Sequence, residues 1–365
     1  HPETGKRIIK NVLGKTQAEC KTKLKKAIEE SKALDISRAN EYTVATWLRT
    51  WFELYAKPHI RPSTMNYYHR NIEQHVAPAI GDIPLNKLTT RDLQKLYNDL
   101  QSNGRLRKVQ KKKKPGLSNS TVRGIHMMLR NALDRAVKEN LIAQNPAIGC
   151  KLSPIKQEEM KILSREAMQR LLIQAKEENY YELFLLEFAT GLRLGELMGL
   201  QWDDLDLTTG ELRINKQVSI VGSELVVNEP KTKAAVRTLI LPPSVLKVMR
   251  AYRTKIESWW LFPSPKKEDL PLRPSVVHHR LHRLLDHAGC GRVRFHDLRH
   301  TFATNALAHG MDVKTLSTIL GHVSSATTLN TYSHVTDEMR QRAAVKIDQG
   351  IAKVEVNPQE EKPKE

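Results

Sequence analysis

Cysteine is scarce in this 365-residue chain. Cys20, Cys150 and Cys290 are too few and too far apart for a disulfide framework or a cysteine-based zinc site. They are expected to be reduced, mostly buried thiols of a cytoplasmic protein. Long apolar runs are also missing. Nothing approaches the ~18 uncharged apolar residues that a spanning helix needs, and no apolar signal segment follows His1-Pro2. The initiator Met is absent too, as expected of a processed or truncated chain. Acidic residues fall short of basic ones, 40 against 59, which leaves a formal net charge of +19. With 40% hydrophobic residues the chain can bury real cores, so it is no disordered basic tail.

The excess charge is uneven. Residues 1–150 hold 28 Lys and Arg against 13 Asp and Glu; the remainder holds 31 against 27. A polyanion is the expected partner, most simply nucleic acid. Charge alone does not separate DNA from RNA or from an anionic membrane.

Hydrophobic periodicity divides the chain. Thr16 opens a charged helix running to about Ser31. From Thr43, residues Val44, Trp47, Leu48, Trp51, Phe52 and Tyr55 make the stripe of an amphipathic helix. Further helices are predicted from Ser63, ending before Pro78, from Thr89 and from Ser120, which makes a four-helix unit over residues 41–145. Between the last two lies a loop with Lys111, Lys112, Lys113 and Lys114, read either as phosphate contacts or as a solvated charge run. Residues 150–162 read as a linker. Ser164 then caps a helix, an apolar helix covers Leu183 to Ala189, and short β-like runs fill residues 211–241 as a small antiparallel sheet. Helical patterns return at 243–256, 274–288, 300–308 and 313–320, with one more helix from Thr336 and an acidic tail.

Four strings in the second unit carry possible chemistry. Ala189-Thr-Gly-Leu-Arg193-Leu-Gly-Glu196 sets an arginine among apolar residues, where it must be paired or bind an anion. Glu196 is the candidate partner, and a buried structural ion pair explains the string equally well. Glu229-Pro-Lys231-Thr-Lys233, continuing to Arg237, is a basic turn between two strands, which in isolation reads as solvated. In Arg294-Phe-His296-Asp-Leu-Arg299-His300, the three-residue spacing of His296 and Arg299 puts both on one helical face, where they suit a phosphate. Finally, Leu320-Gly-His322 precedes Tyr332-Ser-His334 in a polar stretch. A tyrosine hydroxyl, with a pKa of ~10, needs a nearby base to act as a nucleophile.

In the order Arg, Lys, His-x-x-Arg, His, Tyr, these strings make the sequence similar to the tyrosine recombinase (phage integrase) family, over residues 41–340. It most resembles integrases of conjugative transposons and temperate phages of Gram-positive bacteria. The resemblance implies a mainly α fold: a four-helix, SAM-like core-binding domain at 41–149, then a mostly helical catalytic domain with a small antiparallel sheet at 163–340. Residues 1–40 would be the remnant of an N-terminal arm-binding domain with its linker helix, and 341–365 the end of a C-terminal helix and a tail.

The resemblance also implies site-specific cutting and rejoining of duplex DNA, integrating and excising a mobile element, without metal or ATP. Tyr332 would attack the scissile phosphorus and form a 3′-phosphotyrosine. Arg193, Arg299 and His322 would stabilise the phosphorane, Lys231 would protonate the leaving 5′-oxygen with Lys233 as its rival, and His296 would be the general base. Implied partners are core-site DNA, a homotetramer whose C-terminal segment docks on a neighbouring subunit, and an accessory excision factor. Two alternatives stay open here, a type IB topoisomerase and a non-catalytic DNA-binding regulator. His278, His279, His282 and His287 lack the carboxylate pattern of a zinc hydrolase and are expected on a DNA-facing helix.

Overall fold

A computed structural model describes residues 12–14, 16–33, 41–106, 115–155, 160–230 and 235–322, with scattered positions from 324 to 348. The chain forms two compact units, His1–Gln157 and Glu158–Glu365.

In the first unit, α1 (Gln17–Ala33) precedes a helical bundle of α2 (Val44–Trp51), α3 (Pro62–Asn71), α4 (Ala77–Ile80), α5 (Thr90–Asn103) and α6 (Asn119–Lys138). Thr43 and Thr89 close capping boxes that satisfy the first orphan N–H groups of α2 and α5. The α2 stripe supplies Trp47, buried with its indole N–H on the Ala132 carbonyl of α6 at 2.9 Å. Two predicted helix starts move. Pro62 rather than a Ser63 cap begins α3, using its fixed φ, and Ser118 rather than Ser120 caps α6.

Pro78 does not lie beyond a helix end. The chain passes from α3 through a π-helical turn, Ile72–Val76, straight into α4, which holds the proline at its start. A second π-helical turn, Phe52–Ala56, precedes Pro58 in the same way. The widened turn accommodates a ring that would clash with a regular α-helical carbonyl. Asn145 ends the unit by donating to Arg130 O and to the Asp134 carboxylate, while its side-chain oxygen accepts from Ala147 N–H.

The segment read as a linker from 150 is partly built into this unit. Leu152 packs on its core, and the carbonyls of Ser153 and Pro154 accept from Arg123 and Asn119. Cys20, Cys150 and Cys290 are free thiols, half-buried rather than buried.

The second unit contains α7 (Arg165–Glu177), α8 (Tyr181–Thr190), α9 (Leu194–Met198), α10 (Pro243–Arg253), α11 (Pro274–His287), α12 (Phe295–Ala308) and α13 (Val313–Leu320). The expected small sheet is made of antiparallel two-stranded ladders: β1 (Glu211–Ile214) with β4 (Arg237–Ile240), and β2 (Gln217–Val221) with β3 (Glu224–Asn228). A third ladder, β5 (Pro263–Ser264) with β6 (Lys267–Pro271), has too little apolar alternation to be read from sequence. α12 starts at Phe295, five residues before the predicted helix, because Asp297 caps it through the Arg294 N–H at 2.7 Å. That earlier start places His296 and Arg299 in the first two turns. The apolar core runs from Leu163 to Leu298 and encloses α8 and α9. Among the described residues, no helix is long and apolar enough to cross a membrane.

Candidate active site

The site is organised by the end of one short helix. The last carbonyls of an α-helix have no partner within it and carry the negative end of its dipole. At α13 these acceptors go to three different guanidiniums. Arg237 Nε donates to Ile319 O at 2.5 Å, Arg299 Nη2 to Leu320 O at 2.6 Å and Arg193 Nη2 to Gly321 O at 3.4 Å. Gly321 caps α13 at φ 63°, a left-handed conformation that suits glycine and turns the chain toward His322.

Arg299 lies between two helix ends. Its Nη1 donates at 2.8 Å to the carbonyl of Gly191, which caps α8 at φ 58°. A Cβ on Gly191 would run into the Phe302 ring, so close approach as well as φ requires glycine here. Arg299 is 1% exposed. The burial that the sequence suggested for Arg193 belongs instead to Arg299 and Arg237; the Arg193 side chain is 39% exposed.

Glu196 joins two of the arginines. It accepts from Arg193 Nη1 at 2.7 Å and from Arg237 Nη2 at 2.9 Å, and its second oxygen also takes the Arg193 N–H. Burial alone would raise this carboxyl, but the hydrogen bonds and charges of Arg237 and Arg193 hold it below the usual carboxylate range.

The two histidines are neutral at pH 7. Partial burial, then the neighbouring His300 and Arg299, push His296 down to about 4, and its ring meets that of His300 edge-on with centroids 4.7 Å apart. Partial burial, then Arg299, Arg193 and Arg237, likewise push His322 down to about 4. His322 Nδ1 lies 2.7 Å from the Thr328 hydroxyl. In the tautomer that donates from Nε2, Nδ1 accepts that hydroxyl proton.

Three cations and two neutral imidazoles gather around one helix end, an arrangement chemically suited to a phosphodiester, with charge for its oxygens and a proton acceptor beside them. Residues 155–339 match the phage integrase family, and residues 43–101 match the phage integrase N-terminal SAM-like domain. The chain belongs to the phage integrase family. A tyrosine recombinase XerC-like protein of Caldanaerobacter subterraneus is 26% identical over 93% of this chain and 92% of its own. The ICEBs1 integrase of Bacillus subtilis is 25% identical over 95% and 94%. Among solved structures, the Tn1549 transposon integrase in complex with a circular intermediate DNA shares the fold, with a TM-score of 0.70 at 19% identity, over 84% of this chain and 99% of that one. As a tyrosine recombinase, this enzyme breaks and rejoins DNA at specific sites.

The integrase structure therefore brings together Arg193, His296, Arg299 and His322 from the sequence-predicted set. Lys231, its rival Lys233, the nucleophile candidate Tyr332 and the run Lys111, Lys112, Lys113 and Lys114 lie outside the described residues. The histidines of α11 divide. His287 Nδ1 lies 2.9 Å from the Glu178 carboxylate, which also accepts from Arg280, and His278 packs edge-on against Phe295. Sequence reading missed Arg237 as a site residue, although it shares the buried face of β4 with Leu239 while Thr238 and Ile240 are exposed.

The histidine environment predicts a pH dependence. An imidazole acts as base or directs an uncharged donor only while neutral, so protonation on the acid side should remove activity. The rate of DNA cleavage at subsaturating protein should hold through pH 6.5 and fall only as pH approaches about 4. A half-maximal point at the ordinary histidine value would contradict this environment.

Proposed function

We propose that the gathered guanidiniums hold the scissile phosphate of a core recombination site while Tyr332 attacks its phosphorus. The observation that supports this reading is the convergence of Arg193, Arg237 and Arg299 on the C-terminal turn of α13, next to two neutral histidines. The Tyr332 oxygen forms the new P–O bond, its proton passing to His296. The bond to the 5′-oxygen breaks, and Lys231 supplies the proton that makes the leaving group a 5′-hydroxyl. A 3′-phosphotyrosine remains, keeping the phosphodiester energy for rejoining. Arg299 and Arg193 neutralise the growing charge on the non-bridging oxygens, and His322 Nε2–H donates to one of them. Glu196 orients Arg193, and Arg237 completes that frame. Attack by a 5′-hydroxyl of another duplex reverses the chemistry and exchanges the strand.

Residues 41–149 serve as the core-binding domain and 163–340 as the catalytic domain, with residues 1–40 as the remnant of an arm-binding domain. The +15 balance of the first 150 residues supports a grip on the duplex backbone. Two duplex sites exchange four strands in all, and each cut consumes one tyrosine, which supports a homotetramer on DNA. Its C-terminal segments dock between subunits, and an accessory factor governs excision. The reaction takes place in the cytoplasm on a mobile element.

The test uses a nicked suicide substrate, from which the short 5′-hydroxyl fragment diffuses away after cleavage. The protein is expected to trap a denaturant-resistant adduct through the 3′-phosphate at the cut, and Tyr332→Phe none. An adduct through a 5′-phosphate, with a free 3′-hydroxyl released, would overturn the polarity of the mechanism.

A further inference from the structure

Glu187 is used by none of these steps, yet it sits against them. It lies on the last turn of α8, fully buried, and neither of its carboxyl oxygens has a hydrogen-bond partner among the described residues. Its backbone carbonyl accepts the Gly191 N–H at 2.8 Å, and the Gly191 carbonyl in turn accepts Arg299 Nη1 at 2.8 Å. The carboxyl and the phosphate receptor are thus joined through one glycine cap.

An ionised carboxylate with no hydrogen bond is costly to bury, and such a group takes up a proton instead. Burial raises the Glu187 carboxyl well above the ordinary range; the Arg299 guanidinium opposes that and the Glu196 carboxylate adds to it. The charged groups that act on it are Arg299 from α12 and Glu196 from α9. α7 and α10 also pack on α8.

Resting on the proposed phosphate role of Arg299, we propose that Glu187 is a positioning residue: a buried acid whose carboxyl and the scissile phosphate draw on the same guanidinium, so that only the uncharged acid leaves Arg299 to the DNA. By thermodynamic reciprocity, if ionised Glu187 weakens the hold on phosphate, bound phosphate holds the proton on Glu187. The pair therefore forms a proton-linked gate on the strength of the phosphate grip. It limits the alkaline side of the reaction, in contrast to the histidines on the acid side.

The experiment measures single-turnover adduct formation on the suicide substrate from neutral to alkaline pH, for the wild type and Glu187→Gln, each scaled to its own neutral rate. Tyr332 and Lys231 titrate in both proteins, so the difference isolates Glu187. The wild type should lose about tenfold per pH unit once the acid ionises, and the Gln variant should keep its rate through that interval. Infrared spectra should also show a protonated-carboxyl band in the wild type at neutral pH that is missing from the variant. Superimposable alkaline profiles, or no such band, would overturn the proposal. So would a folded Glu187→Gln protein that fails to cleave at neutral pH, because that would require the carboxylate. Should Glu187→Gln unfold, Glu187→Met, similar in length and uncharged, takes its place in both measurements. Arg299→Ala is the control for the underlying reading: if it cleaves at the wild-type rate, the phosphate assignment fails whatever Glu187 does.

Discussion

Arg299→Ala is expected to slow formation of the DNA adduct by about 10²–10³-fold, the usual cost of one preorganised donor to a developing oxyanion, and by more if its two neighbours shift. Arg299 is buried at the meeting of two helix ends, on Gly191 O and Leu320 O. Its charge and direction are therefore fixed before DNA arrives, and no reorganisation is left for the reacting state. Arg299→Lys separates the two contributions. Lysine keeps the charge but is a point donor that cannot span both carbonyls as a planar fork does. It should recover only part of the rate. Recovery to the wild-type level would mean that charge alone is enough and the fork geometry is incidental. Because Arg299→Ala also strips two buried carbonyls of their donor, thermal unfolding must accompany the kinetics.

Glu196→Ala should be the most damaging change for the fold of the second unit. Removing one partner of a buried ion pair costs about 3–5 kcal/mol, since the other charge is left without compensation. Here the stranded charge is Arg237, whose side chain is 4% exposed and which relies on Glu196 together with two backbone carbonyls. Each kcal/mol lowers the melting temperature by about 2–4 °C in a domain of this size. Glu196→Gln keeps an acceptor while losing the charge and should fall between. Replacing Glu196 and Arg237 together with methionine should restore much of the stability but not the cleavage rate. Wild-type melting of Glu196→Ala would show that Arg237 does not depend on this carboxylate.

The residues around the phosphate receptor were legible to different degrees, for physical reasons. Arg193, His296, Arg299 and His322 stand in short strings where charge, glycine and apolar neighbours coincide, so composition at single positions already marks them. The bundle was legible because Thr43 and Thr89 cap amphipathic stripes, and Ser164 marks the first helix of the second unit in the same way. Arg237 was hidden by company: after Lys231-Thr-Lys233 it looks like the end of a solvated basic turn. Only its alternation with Leu239 on β4 shows that it points inward. Glu187 was hidden in the opposite way, inside the apolar run of α8, where a lone acid between Leu186 and Phe188 draws little notice. Pro78 misled because a proline signals the end of an α-helix, whereas a π-helical turn lets the chain continue past it. What the sequence could not convey was the organising element itself. That one helix end collects three arginines is a tertiary fact, set by where β4, α9 and α12 reach α13.

Digestion of the trapped protein–DNA adduct and mass spectrometry of the nucleotide-bearing peptide identifies the nucleophile. The expected product is a nucleotide linked to Tyr332 through its 3′-phosphate, with no adduct from Tyr332→Phe. A nucleotide on any other residue, or an undiminished adduct from Tyr332→Phe, would contradict it.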